Sequence, residues 1–177
     1  MVKMELEVAY RRTIYRVTVG GEVIELRVGE RSLKLEESLH DRGQDHWVLI
    51  TAFNPRSRNI SLKENQHRDK TLEAHLIESG YLMFRSEAID PDGIWPSEWG
   101  FVAFGMKTFQ GHAIAKKFDQ NAILTGRIGH PVHLHFVDRE CDCNGEGDPH
   151  FSSGGSQLTL WRGEMTDGAS SDGEQEN

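Results

Sequence analysis

The stretch from His46 to Gly80, HWVLITAFNPRSRNISLKENQHRDKTLEAHLIESG, constrains this chain more than any other. Trp47 to Phe53 is a nearly continuous apolar run rich in strand formers, the pattern of a strand covered on both faces. Asn54-Pro55 stops it, because proline has no amide hydrogen and biases the residue before it away from helix. Ser61-Leu62-Lys63-Glu64 then reads as a capping box that starts a helix. Gly80 closes that helix in a place where a left-handed residue is easiest.

The apolar stripe expected of this helix is Leu62, Leu72, Leu76 and Ile77, and Asn65 and Arg68 fall close to it. Polar groups turned toward a core need partners, since an unpaired buried amide or guanidinium is costly. Two readings follow. Asn65 and Arg68 brace the irregular loop 54–59 by bonding its carbonyls. Alternatively they face a pocket, where the helix N-terminus with Arg56, Ser57 and Arg58 offers an anion seat.

On either side of this unit the chain punctuates itself clearly. Ile14 to Val19 and Glu22 to Val28 are strand-like and joined by Gly20-Gly21, a good hairpin turn. Ser32 caps a short helix carrying Leu33, Leu35 and Leu39. After the central helix come a strand from Tyr81 to Ala88, the turn Asp90-Pro91-Asp92-Gly93, and a strand from Trp99 to Met106. A helix starting at Thr108 or Gln110 runs through Lys117, and a strand covers Ala122 to Thr125. From His46 the order is β-α-β-β-α-β, which predicts an α+β, ferredoxin-like core with the N-terminal hairpin and short helix as additions.

That arrangement brings three polar loops to one sheet edge: 54–59, 91–98 and 119–121. Together they gather Asn54, Ser57, Trp95, Glu98, Gln120 and Asn121 around the first turn of the central helix. Asn and Gln both donate and accept, and Trp offers a flat apolar face, which suits a planar polar ligand such as a nucleotide. Each residue taken singly is also ordinary turn chemistry.

Four motifs carry a resemblance: Ile50-Thr51-Ala52-Phe53-Asn54-Pro55, Glu64-Asn65-x-x-Arg68, Trp95-x-x-Glu98 and Gln120-Asn121-Ala122-Ile123. In that order and spacing the chain resembles the bacterial domain-of-unknown-function family 3293, over roughly residues 10–125 judged by motif order. Asp119 departs from the pattern, in which a glycine is expected before the Gln-Asn pair. The resemblance implies that these are signature positions and brings no activity, cofactor or catalytic residue.

At 177 residues the chain suits a single α+β domain over 1–137 followed by an extension over 138–177. The formal net charge of −8 belongs to the extension: residues 1–137 carry 18 Lys/Arg against 18 Asp/Glu, residues 138–177 only 2 against 10. A neutral body with an acidic tail argues against general nucleic-acid affinity, which needs a basic surface. Lys3, Glu5 and Glu7 interrupt any signal-like apolar segment and no apolar run reaches membrane-spanning length, so a cytoplasmic protein with no membrane contact is expected.

His133 and His135 alternate along a strand-like segment, with Cys141 and Cys143 close behind. Such a set could hold zinc, although Cys-x-Cys is not the usual knuckle spacing and surface histidines with idle thiols explain it better. Residues 144–177 have the composition of a flexible acidic tail, broken by the apolar island Gln157-Leu158-Thr159-Leu160-Trp161, which could dock back, add a strand to an edge or hold a protein partner.

Three functions remain open. The first is binding of a nucleotide-like or other anionic small molecule by Asn54, Arg56, Ser57, Asn65, Arg68, Trp95, Glu98, Gln120 and Asn121. The second is an enzyme at that place with Glu98 or Glu64 as acid/base, and no recognisable catalytic motif supports it. The third is an adaptor acting through the tail.

Overall fold

Alternation along the central strand builds two cores at once. In β3 (His46–Thr51) Trp47 and Leu49 point to one face of a sheet while Val48 and Ile50 point to the other, and all four are buried. The strand is therefore covered on both sides, as its continuous apolar run predicts. The computed structural model describes residues 3–137. Cys141, Cys143, the apolar island and the acidic extension all lie outside the described residues.

Around β3 the chain forms α1 (Lys3–Arg12), β1 (Ile14–Val19), β2 (Glu22–Leu26), α2 (Leu33–His40) and α3 (Leu62–Glu78). It continues with β4 (Leu82–Ile89), β5 (Glu98–Phe104), α4 (Thr108–Lys117), β6 (Ala122–Arg127) and β7 (His133–Phe136). Local signals hold where they were legible. Gly20 and Gly21 turn the first hairpin at φ 60° and 87°, a pairing that side chains with a Cβ rarely adopt. Ser32 caps α2 by accepting from the Leu35 amide at 3.4 Å. Ser61 and Glu64 form the reciprocal capping box of α3.

The expected four-stranded ferredoxin-like core is not what forms. All seven strands join one antiparallel sheet in the order β2-β1-β4-β5-β3-β6-β7. A four-stranded sheet would leave β4 and β6 with open edges, and unpaired edge amides and carbonyls are a template for further pairing. Here β1 pairs with β4 (Tyr15 opposite Ala88, Val17 opposite Ser86) and β7 pairs with β6. The N-terminal hairpin is thus part of the sheet and not an addition to it.

Seven twisted strands accumulate enough coil to bring the two ends of a sheet toward each other. The chain just after β2 meets the chain just before β7: Val28 and Val132 form a bridge, Gly29 N donates to Val132 O at 2.8 Å, and Val132 N donates to Glu30 O at 2.9 Å. The sheet is a curled half-barrel. Gly100 in β5 sits where a Cβ would lie 2.5 Å from the Ile50 carbonyl oxygen, so only glycine lets the strands approach so closely.

Curling separates the two faces. On the convex face α3 and α4 cover Val48, Ile50, Phe101, Ala103 and Ile123 with Leu72, Leu76, Ile114 and Ala115. On the concave face Tyr15, Val17, Ile24, Leu26, Leu49, Val102, Phe104 and Leu124 pack with Leu35 and Leu39 of α2. The stripe of α3 differs from the expected one. Leu62 and Ile77 are exposed, and the buried positions are Asn65, Asp69, Leu72 and Leu76, spaced four, three and four residues apart. The polar half of that stripe is satisfied, Asp69 accepting from Arg85 Nη1 at 2.7 and 2.9 Å, so an apolar-only pattern could not find it. Among the described residues no helix is long and apolar enough to cross a membrane.

Candidate functional site

The site grows from the loop that follows β3. Asn54, Arg56 and Ser57 have φ of 42°, 57° and 55°, and Asp119 across from them has φ of 54°. These are the positive-φ non-glycine residues among the described residues, and all four sit in one place. Left-handed backbone with a Cβ costs about 1–3 kcal/mol per residue and persists only where surrounding contacts dictate it.

Those contacts come from α3 and from the turn between α4 and β6. Asn65 Oδ1 accepts from the Asn54 amide at 2.7 Å, and Asn65 Nδ2 donates to Asn54 Oδ1 at 2.9 Å. Arg68 Nε donates to Ala52 O at 2.8 Å, and its Nη2 donates to Phe118 O. Gln120 Nε2 donates to Phe53 O at 3.0 Å. Arg56 donates through its amide to Asp119 O at 2.9 Å and pairs through Nη2 with the Asp119 carboxylate at 3.0 Å.

Asp119 itself ends α4. Its amide donates to Lys116 O and the Gln120 amide to Ala115 O, the two bonds of a Schellman turn whose left-handed residue is usually glycine. The departure noted in the sequence therefore falls on a left-handed position. Aspartate is among the few other residue types that tolerate it.

One arm of this braced loop reaches the concave face. Asn54 Nδ2 donates at 2.8 Å to Oε1 of Glu98, the first residue of β5. Glu98 looks into a cavity of about 120 Å³ floored by Leu49, Leu124 and Leu134, with Trp95 and Pro96 at its rim. Burial pushes the Glu98 carboxyl above its ordinary range, and the Asn54 hydrogen bond only partly offsets this.

The cavity is closed from the other side by α1, an element the sequence reading did not anticipate. Leu6, Ala9 and Tyr10 of α1 line it. The Tyr10 hydroxyl is raised by burial and bonded to Ser57 and Asn121, while Asn121 Nδ2 donates to Ser57 Oγ at 2.9 Å. Tyr15 donates its hydroxyl to Tyr10 O at 3.1 Å, and the Tyr10 ring meets Phe136 edge-on with centroids 6.0 Å apart. Leu6-x-x-Ala9-Tyr10 at helical spacing, with the Glu7–Arg11 pair one turn apart, is the signal that would have revealed α1.

The nine residues named from sequence thus divide. Asn54, Ser57, Trp95 and Glu98 line the cavity, with Asn121 behind Ser57. Asn65, Arg68 and Gln120 hold the loop's backbone from behind. Arg56 is exposed and paired with Asp119, and Glu64 is engaged in its cap. Elsewhere, His133 and His135 stand on β7 with rings 6.2 Å apart, and His135 Nε2 is 2.9 Å from Thr125 Oγ1. Their suggested zinc partners Cys141 and Cys143 are outside the described residues. Among the described residues no group of three or more His, Cys, Asp or Glu is placed to hold a metal.

Fold and site together define an α+β protein whose curled antiparallel sheet and N-terminal helix line a cavity that includes the Glu98 carboxylate. Residues 50–123 match the family model described as "Protein of unknown function (DUF3293)", so over that stretch the chain carries this family's pattern. All four quoted motifs lie inside the matched stretch, whereas α1, the first hairpin and β7 lie outside it. No curated protein and no solved structure matches the chain.

Proposed function

We propose that the cavity between α1 and the concave face of the sheet binds a small, largely apolar molecule through a polar contact to the Asn54–Glu98 pair. The observation that carries this reading is Glu98. A carboxylate that faces an apolar-floored cavity is costly for a fold to keep unless something is bound there. Its neighbours fit the usual build of such sites, with apolar walls and a few convergent polar groups: Asn54, Ser57, Thr51 and Tyr10. Strained backbone at Asn54 and Ser57, held by bonds from α3 and from the turn between α4 and β6, places those groups.

The anionic half of the original expectation gains no support from the geometry. Arg56 and Arg68, the cations of the suggested seat, are bonded to Asp119 and to two backbone carbonyls.

Titration of the full-length protein with indole, followed by amide chemical-shift perturbation, tests the binding reading. Saturable shifts confined to residues around Leu49, Leu124 and Glu98 are expected, and Ala88→Phe, which fills the cavity, should remove them. Shifts scattered over the surface, or unaffected by that substitution, would sink the reading. The raised carboxyl beside Tyr10 also favours a second reading, general acid/base catalysis by Glu98 on the bound molecule. In that case Glu98→Gln would abolish turnover of a bound compound.

A further inference from the structure

We infer that the molecule held in this cavity carries a cationic group, such as a protonated amine, received by the Glu98 carboxylate among the rings of Tyr10, Tyr15 and Trp95. This inference rests on the cavity being a binding site and says what that site would select. The cavity lining contains two carboxylates, Glu98 and Asp90, and no lysine, arginine or histidine. An anion entering it would meet only like charge.

The two carboxylates are not equivalent. Asp90 accepts from the amides of Asp92, Ile94 and Trp95 at 3.1, 2.8 and 3.1 Å, so its oxygens hold the turn between β4 and β5. Glu98 receives one hydrogen bond, from Asn54 to Oε1. Every fully buried side-chain oxygen or nitrogen among the described residues has a partner, so Oε2 of Glu98, a residue that lines the cavity, keeps accessible surface. A ligand that bonds to it disturbs no turn, whereas the Asp90 carboxylate is already engaged by three backbone amides.

The nearby cations are turned elsewhere. Arg12 pairs with Asp92 at 2.6 Å and Arg56 with Asp119, while Arg68 is bonded to carbonyls on the far side of the loop. No internal counter-ion is therefore supplied to Glu98, and the charge can be balanced by a ligand. Three aromatic side chains, Tyr10, Tyr15 and Trp95, line the same space. Ring faces attract cations most strongly when water is excluded, and a carboxylate together with aromatic walls is the usual chemistry of ammonium recognition. The apolar floor of Leu49, Leu124 and Leu134 then suits a hydrocarbon or aromatic body attached to that ammonium.

Three probes of one shape separate this inference from the reading beneath it: 2-phenylethylamine, 2-phenylethanol and phenylacetate, titrated into the full-length protein at neutral pH by calorimetry. The ammonium should bind about tenfold or more tightly than the alcohol, as expected for a charge-assisted hydrogen bond over a neutral one, and phenylacetate more weakly still. Glu98→Gln should bring the amine down to the alcohol's level. Equal binding of amine and alcohol, or tightest binding of phenylacetate, would overturn the cationic selection and leave the cavity reading standing. Failure of all three probes, or binding that survives Ala88→Phe, would overturn both. The wild-type ranking decides the matter even if Glu98→Gln does not fold.

Discussion

Asn54 and Asn65 hold each other reciprocally: the Asn65 amide group donates to Asn54 Oδ1 at 2.9 Å, and its carbonyl oxygen accepts the Asn54 backbone N–H at 2.7 Å. Both residues are buried. This leaves Asn54 Nδ2 free to reach Glu98, so one α3 residue sets the direction of a cavity side chain on the opposite face of the sheet. Asn65→Ala strips a partner from a buried amide and should cost about 1–3 kcal/mol. Urea unfolding measures it, and an unchanged midpoint would refute the bracing role.

Glu98 makes stability depend on pH in a definite sense. Its carboxyl is raised by burial in the folded protein, so the folded state binds its proton more tightly than the unfolded state does. Its contribution is most favourable below the ordinary glutamate range, about pH 4, and falls as pH rises through that range to the raised folded value. Glu98→Gln removes this loss while still accepting from Asn54. The variant should match the wild type in acid and melt higher than it at neutral pH. A variant that melts lower at every pH would contradict this assignment.

Asp119 occupies a backbone conformation that favours glycine. Asp119→Gly relieves that strain and loses an exposed pair with Arg56, worth about 0.2–1 kcal/mol, so the two changes roughly cancel. Asp119→Ala loses the pair and keeps the strain. Glycine should therefore exceed alanine here by about 1 kcal/mol, judged from thermal melts of the two variants.

Two glycines inside the fold should differ in tolerance. A Cβ at Gly100 meets the Ile50 carbonyl oxygen at 2.5 Å and Thr51 Cα at 3.1 Å, both backbone atoms. A Cβ at Gly111 meets Val48 Cγ1 at 2.7 Å and Ile123 Cδ1 at 3.0 Å, which are side-chain atoms and not backbone. Overpacking of the second kind costs about 1–3 kcal/mol, and Gly100→Ala should cost more because the sheet itself must open. Denaturation midpoints of the two alanine variants give the order.

Tyr10 fastens α1 over the cavity. Removing its hydroxyl in Tyr10→Phe deletes the bonds to Ser57 and Asn121 but keeps the ring against Phe136. Global stability should fall by only about 1 kcal/mol. Amide exchange in α1 should rise well above that in β3 and β5, and equal change in helix and sheet would argue against a local latch.

Much of this protein was legible wherever the deciding interaction spans a few residues. The stop at Asn54-Pro55, the Ser61–Glu64 box, the Gly20-Gly21 turn and the buried run of β3 follow from donors, dihedrals and periodicity that neighbouring residues carry with them. Asn54 does meet Glu98 and Asn121 does meet Ser57, but the four-stranded ferredoxin-like sheet from which their meeting was expected is not the sheet that forms. Which of the site residues line a cavity and which brace it was not legible. Asn65, Arg68 and Glu98 are all polar residues beside apolar ones in sequence, and only the face on which each emerges separates their roles.

The sequence by itself determined the elements after α1, with their caps and turns, because local hydrogen bonds and steric limits act before any long-range contact exists. Tertiary structure decided how far the sheet extends, that it curls until Val28 meets Val132, and that α1 closes over Glu98. Those outcomes depend on open strand edges and apolar surface finding partners scores of residues away, and no window of sequence contains both partners.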